Sequence, residues 1–169
     1  MKRLASLLIF LAIVLNLSAQ NNTKEDSRIN ETVLYGQFTL DAFNMDLCSP
    51  WYTPEHDSYL ADTTILKKLT EQNFENISIS LILGSWCHDS HREVPRFIKI
   101  LEEINYPFDR LQMYALDTDK TSPDFDAKAN NVTNVPTAII SRNRVEIGRI
   151  IESPKLSLEK DLLKILSKN

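Results

Sequence analysis

Apolar and polar residues alternate along this chain with two different periods, which predict strands and helices in turn. Short runs rich in β-branched and aliphatic residues predict four strands, at residues 77–83, 111–116, 137–141 and 145–151. Apolar residues spaced three and four apart predict helices at residues 64–72, 88–103 and 157–167, and a shorter one at 124–129. The first half of this order favours a parallel crossover and the second an antiparallel hairpin, so we expect an α/β fold.

The beginning of the chain has the pattern of a secretory signal peptide. Lys2 and Arg3 give a positive head, residues 4–17 are nearly all apolar, and a small-residue cleavage site ends at Ala19. The apolar run is shorter than the ~20 residues with which a helix crosses a bilayer. We therefore predict that residues 1–19 are removed and that the protein is exported, periplasmic or extracellular, with no stable membrane span afterwards.

Residues 20–55 are predicted to form an N-terminal extension that precedes a domain at 56–169. Residues 20–30 are almost all polar, which is typical of a disordered tether. Residues 44–59 carry several aromatic side chains and two prolines, so we expect an irregular segment packed on the domain. These aromatic side chains are expected to clamp the extension onto the core, with a peptide-binding wall as the alternative.

Composition and charge narrow the classes of function. Apolar residues make up 43% of the chain, which is ordinary for a globular core. The formal net charge is -4 and no basic stripe occurs, so no nucleic-acid partner is expected. The chain has two cysteines, Cys48 and Cys87, which are too few for a disulfide scaffold. The fold must therefore be stabilised by burial of apolar side chains.

The sharpest chemical signal is the sequence Trp86-Cys87-His88-Asp89-Ser90, at the junction of a predicted buried strand and a predicted helix. A thiol reacts as its thiolate, and the free N–H groups and partial positive charge of a helix N-terminus favour that anion. A protonated His88 would favour the thiolate further, whereas an ionised Asp89 would oppose it. The alternative is a structural cysteine that merely ends a buried strand.

This motif and two prolines together resemble the thioredoxin family. Trp86-Cys87-x-x-Ser90 stands where the family has Trp-Cys-x-x-Cys, Pro95 where it has a proline in the active-site helix, and Val135-Pro136-Thr137 resembles its cis-proline loop. The resemblance covers about residues 63–166 and is greatest to exported bacterial thioredoxin-like proteins. It implies a thioredoxin-like fold, with a central mixed sheet of four or five strands flanked by helices and an N-terminal extension.

The resemblance also implies a role for each matching position. Cys87 would be the attacking sulfur, Trp86 would cover the site, and Pro136 would follow a cis peptide bond and face Cys87. The backbone of Val135 would then be free to pair with an extended peptide. The candidate substrate-binding residues are Val135, Thr137, His88 and Asp89.

Two positions depart from the family pattern. Ser90 replaces the second, resolving cysteine, and Leu81 stands where many thioredoxins bury an acid. A single thiolate at Cys87 can attack a disulfide and form a mixed disulfide, but it cannot release itself through Ser90. Release would need an external thiol, the second thiol of the substrate, or Cys48 as a candidate resolving thiol.

The sequence therefore predicts a monothiol thiol-disulfide oxidoreductase, with protein or small-molecule thiols and disulfides as partners. Two other hypotheses for the function remain open: a redox-inactive peptide-binding module and a copper carrier. Cys87 and His91 lie one helical turn apart, and with His88, Asp89 or His56 they would give only a thin ligand set for copper or zinc. We accordingly predict no bound metal and no cofactor.

Overall fold

The computed structural model describes residues 21–167, so the predicted signal peptide lies outside the described residues. The strands of this part are β1 Thr23–Asp26, β2 Glu31–Leu34, β3 Gly36–Phe38, β4 Ile77–Leu83, β5 Leu111–Ala115, β6 Thr137–Arg142 and β7 Val145–Ile151. Its helices are α1 Ser49–Ser58, α2 Thr63–Thr70, α3 His88–Glu103 and α4 Leu158–Leu166. Among residues 21–167, no helix has the length and apolar character needed to cross a membrane.

Five strands form the central sheet, in the order β3-β5-β4-β6-β7. The pair β4–β5 is parallel, and the pairs β3–β5, β4–β6 and β6–β7 are antiparallel. The parallel pair is joined through α3, and the antiparallel pair β6–β7 is a hairpin, as the element order predicts. The predicted fold class, a thioredoxin-like mixed sheet flanked by helices, is confirmed with five strands.

Strand β4 lies at the centre of the sheet, where one of its faces is buried along the whole strand and the other is buried at the carboxyl end. Leu81 and Leu83 face one apolar cluster, in which Phe97 of α3 is buried, and Ile82 faces a second cluster on the opposite side. Full burial of each such side chain contributes about 1.5–3 kcal/mol to the free energy of unfolding. The strand therefore ends at a fixed place between two packed layers, and Cys87 follows four residues later.

The part of the predicted tether that the structure describes, residues 21–30, is instead ordered, and its strand β1 forms a β-hairpin with β2. The Asp26 carboxylate accepts hydrogen bonds from the backbone N–H and the hydroxyl of Thr118, at 2.8 and 2.7 Å. Lys24 Nζ donates to Asp117 Oδ2 at 2.6 Å. Lys24 and Asp26, two of the polar residues that suggested disorder, thus find their hydrogen-bond partners in the loop that follows β5.

The segment predicted to be irregular at residues 44–59 contains the regular helix α1. Pro50 lies in the first turn, where its missing N–H costs nothing. Tyr52 stacks on Phe43 with ring centroids 4.1 Å apart, and Glu55 accepts a hydrogen bond from Arg96 of α3 at 2.6 Å. Packing of α1 on α3 therefore outweighs the destabilising effect of Pro54 inside the helix. The aromatic residues clamp the extension onto the core, as predicted.

The short helix predicted at residues 124–129 is absent from the structure, which has turns there. The Asp126 carboxylate accepts the N–H of Ala129 at 2.9 Å, and the Asp124 carboxylate accepts the N–H of Gln37 at 2.8 Å. Aspartate side chains compete with helical hydrogen bonding in this way. The region therefore joins β5 to β6 without a helix.

A buried carboxylate links the segment between α1 and α2 to α4. Glu159 Oε1 accepts hydrogen bonds from the hydroxyl of Tyr59 at 2.8 Å and the N–H of Asp62 at 3.1 Å. Burial raises the pKa of Glu159, but hydrogen bonds from the backbone, Tyr59 and Ser157 outweigh it, and the pKa lies below its ordinary value. Glu159 is thus charged at neutral pH and stabilises the folded state in that form.

We predict that Glu159→Gln lowers the free energy of unfolding at pH 7 by about 1–3 kcal/mol, because hydrogen bonds to a charged, buried carboxylate are replaced by weaker ones to a neutral amide oxygen. A carboxylate with a lowered pKa stabilises the fold above its unfolded pKa of about 4.3, and this contribution is lost as the pH falls through the folded value. Urea unfolding at pH 7 and below pH 4 should show the difference from wild type shrinking at the lower pH. The exposed Glu103→Gln is the control, and an unchanged difference would contradict the assignment.

Candidate functional site

Cys87 lies at the N-terminus of α3, in the loop that follows the carboxyl end of β4. It is the N-cap residue, with φ -96° and ψ 123°, and its side chain makes no capping hydrogen bond. Its N–H donates to the carbonyl of Gly84 at 3.0 Å, and its carbonyl accepts the N–H of His91 at 3.0 Å. The backbone is thereby fixed while the half-buried thiol is left beside the first, unpaired N–H groups of the helix.

The thiol faces the loop that precedes β6. Cys87 Sγ donates a hydrogen bond to the carbonyl oxygen of Val135 at 3.2 Å, and the Val135–Pro136 peptide bond is cis, as predicted from the sequence. Pairing of Ile82 with Thr137 in the β4–β6 ladder brings these two segments together. The structure therefore joins the motif around Cys87 and the proline loop, 48 residues apart, into one site.

Trp86 forms one wall of this site. Its indole Nε1 donates to the carbonyl of Leu116 at 2.9 Å, and its ring packs on the apolar cluster that includes Ile82 and Val135. A β-carbon at Gly84 would lie 2.7 Å from Cε2 of this ring. Glycine is thus required at position 84 for the indole to fold back over the loop.

Ser90 does not reach the surface of the site. Its side chain is fully buried, and its hydroxyl accepts the N–H of Gly84 at 3.3 Å. Ser90 therefore supports the turn between β4 and α3, in the position where the family pattern has its second thiol. It is not placed to contact a substrate.

The remaining predicted contact residues divide into exposed and buried ones. His88 is exposed, and Asp89, half-buried, is bound by Arg92 at 2.7 Å. Thr137 is buried, and its hydroxyl donates to the carbonyl of Asn134 at 2.7 Å, so its side chain shapes the proline loop instead of facing a substrate. The side chain of Val135 is also buried, which leaves its backbone as the part available for recognition.

Sequence reasoning missed Ser85, which anchors the reactive loop to the extension. Its hydroxyl accepts the N–H of Leu34 at 2.9 Å, and its carbonyl accepts Nε2–H of His91 at 2.6 Å. The His91 ring in turn stacks on Trp51 of α1, with centroids 4.5 Å apart. A small polar residue beside Trp86 was the only local signal, and it does not reveal a partner 51 residues away.

Cys48 lies apart from this site. It is fully buried in the apolar cluster on the Leu81 side of β4, whereas Cys87 packs on the cluster of the opposite face, and both cysteines are free. Burial raises the pKa of the Cys48 thiol to about 12, so this thiol is neutral and poorly nucleophilic at pH 7. The structure gives no support to Cys48 as the resolving thiol.

The part of the chain from residue 21 to residue 167 contains no group of three or more His, Cys, Asp or Glu side chains arranged to hold a metal ion. His91, the ligand considered with Cys87, is engaged by Ser85 and Trp51. His56 lies on α1 and contacts Glu102 at 2.9 Å. The rings of His88 and His91 lie 5.8 Å apart, but no third ligand within residues 21–167 joins them in a group that could hold a metal ion.

We predict that Gly84→Ala lowers the free energy of unfolding by about 1–3 kcal/mol, because the added methyl group collides with the Trp86 ring. Urea unfolding of the single variants and of the pair with Trp86→Ala measures the coupling between the two positions. The cost of Gly84→Ala should disappear once the indole is absent. An equal cost in both backgrounds would show that the glycine serves another purpose.

No protein-family model and no curated protein sequence matches this chain. Among solved structures, a protein of unknown function from Pseudomonas aeruginosa is similar over 70% of this chain and 81% of its own, with 10% identity and a TM-score of 0.50. Thioredoxin O2 from Arabidopsis thaliana is 19% identical over 60% of this chain and 85% of its own, with a TM-score of 0.40. Mitochondrial thioredoxin 3 from Saccharomyces cerevisiae is 26% identical over 63% and 94%, with a TM-score of 0.36. These likenesses concern the fold alone. The thioredoxin-like fold of this chain rests on its own sheet, in the order β3-β5-β4-β6-β7, with α3 joining the parallel pair β4–β5.

Proposed function

We propose that this protein is an exported thiol-disulfide oxidoreductase that acts through the single thiol of Cys87. The observation that carries the proposal is the position of Cys87 Sγ, half-exposed at a helix N-terminus and 3.2 Å from the carbonyl before a cis proline. Export rests on the signal-peptide pattern of residues 1–19, which also implies a compartment that permits disulfides.

The reaction is a thiol–disulfide exchange, in which the protein itself undergoes no net oxidation or reduction. The Cys87 thiolate attacks one sulfur of a substrate disulfide, a new S–S bond forms to Cys87, and the other substrate sulfur leaves as a thiolate that takes a proton from solvent. An external thiolate then attacks the mixed disulfide, forms a disulfide with the substrate and returns Cys87 to its thiolate.

Release by an external thiol follows from the surroundings of Cys87. Ser90 has no sulfur and its hydroxyl is buried, and Cys48 is enclosed in the core on the other face of β4. The mixed disulfide is therefore stable against attack from within the protein. Such a site suits reversible thiolation or disulfide isomerisation better than rapid dithiol reduction.

The carbonyl of Val135 provides a switchable contact for the substrate backbone. In the resting thiol state it accepts the hydrogen bond from Cys87 Sγ. Ionisation or disulfide formation removes that donor, so the carbonyl is left to accept an N–H from an extended peptide bound through the same disulfide. The backbone contact thus forms as the covalent contact forms.

We predict that oxidised glutathione adds one glutathionyl group to the wild-type protein, at Cys87, and that excess reduced glutathione removes it. Cys48→Ser should react like wild type because the Cys48 thiol is buried and neutral, whereas Cys87→Ser should not react. Intact-mass spectrometry with peptide mapping distinguishes these outcomes. Modification at Cys48, or none at either cysteine, would remove the proposed function and leave a peptide-binding module with an idle thiol.

A further inference from the structure

Arg92, five residues after Cys87 on α3, contacts the one carboxylate within the reactive motif. We propose that Arg92 is a positioning residue of the thiol site, which holds the Asp89 carboxylate and offsets its charge so that it opposes the Cys87 thiolate less. This inference rests on the proposed function, because it concerns the reactivity of the same sulfur.

The guanidinium of Arg92 makes three hydrogen bonds. Nη2 donates to Asp89 Oδ1 at 2.7 Å and to the hydroxyl of Ser153 at 2.8 Å, and Nε donates to Glu93 Oε1 at 2.6 Å. Glu93 is an inflexible anchor, since only 7% of its side chain is exposed. Hydrogen bonds from Arg92 to Glu93 and to Asp89 raise the pKa of Arg92, which keeps its positive charge in place.

The carboxylate of Asp89 and the thiolate of Cys87 lie at the same helix N-terminus. Asp89 lies in the first turn of α3, two residues after the N-cap Cys87, so both anions draw on the partial positive charge of one helix N-terminus. Two like charges on one helix terminus repel each other. With Arg92 bound to both Asp89 and Glu93, the three side chains carry one net negative charge, and without Arg92 they carry two.

Ser153, which lies just after β7, accepts a hydrogen bond from the Arg92 guanidinium. It follows Glu152, whose backbone N–H donates to the carbonyl of Pro136 at 2.7 Å. Arg92 therefore spans from the motif helix to the turn that holds the proline loop. Its guanidinium lies at the surface, with the Arg92 and Asp89 side chains each 39% exposed, but it is held by three hydrogen bonds, one of them to the buried Glu93.

The test is the rate at which iodoacetamide alkylates Cys87 at pH 7 and low ionic strength, in a Cys48→Ser background. Arg92→Gln should slow alkylation about two- to threefold, which is the order of the effect of one unit charge within about 10 Å in a water-like dielectric. The double variant Asp89→Asn/Arg92→Gln should return to the rate of the parent, since the opposing charge is then gone. Arg96→Gln is the matched control, because Arg96 lies on the same helix but pairs with Glu55, and it should leave the rate unchanged.

Recovery of the alkylation rate in the double variant would show that Arg92 acts through charge. If Arg92→Gln slowed alkylation by loosening the fold, the additional change Asp89→Asn would not restore the rate. Should Arg92→Gln fail to fold, the single variant Asp89→Asn, which keeps the Arg92–Glu93 pair, carries the test. Its rate should equal or exceed that of the parent, and a fall would overturn the inference. An unreactive parent Cys87 would instead remove the proposed function, whereas a reactive Cys87 that is indifferent to Arg92 would remove this inference alone.

Discussion

The antiparallel pairing of β4 with β6 is the constraint on which the rest of the site depends. Ile82 lies opposite Thr137, so the carboxyl end of the strand that leads to Cys87 lies beside the start of the strand that follows Pro136. The residues at positions 77, 79, 81 and 83 are buried on one face of β4, whereas Ser78 and Ser80 lie on the other face, exposed and half-buried. A slip of one residue would exchange these faces and is therefore disfavoured. The thiol meets the Val135 carbonyl as a consequence of strand pairing, and loop flexibility is not required.

The N-terminal extension belongs to the same structural unit as the reactive loop. Leu34 of β2 donates its N–H to Ser85, and Trp51 of α1 stacks on the ring of His91, which in turn binds the carbonyl of Ser85. Two separate elements of the extension thus converge on the residue before Trp86. The loop that carries the thiol is supported from the sheet, from α3 and from the extension, which holds it in one conformation before any substrate binds.

The sequence predicts those parts of the structure whose cause is local. The strands and helices from residue 63 onward follow from the period of apolar side chains, with boundaries shifted by a few residues. The hairpin β1–β2 is not predicted from the local sequence, because Asp26 forms its hydrogen bond with Thr118, which is 92 residues away. In the site, Cys87 and Pro136 are identified through short motifs, whereas the supporting side chains of Ser85 and Arg92 have roles that exist only once distant segments are in contact.

The placement of the aromatic residues has a consequence for how the molecule can be observed. The chain contains two tryptophans, Trp51 and Trp86, and the structure sets them on either side of the reactive loop, one against the His91 ring and the other against the Leu116 carbonyl. Trp86 packs on the same apolar cluster as Cys87, whereas Trp51 packs on the main core. A covalent change at the sulfur is therefore expected to alter the intrinsic fluorescence of Trp86, with no dye or label attached.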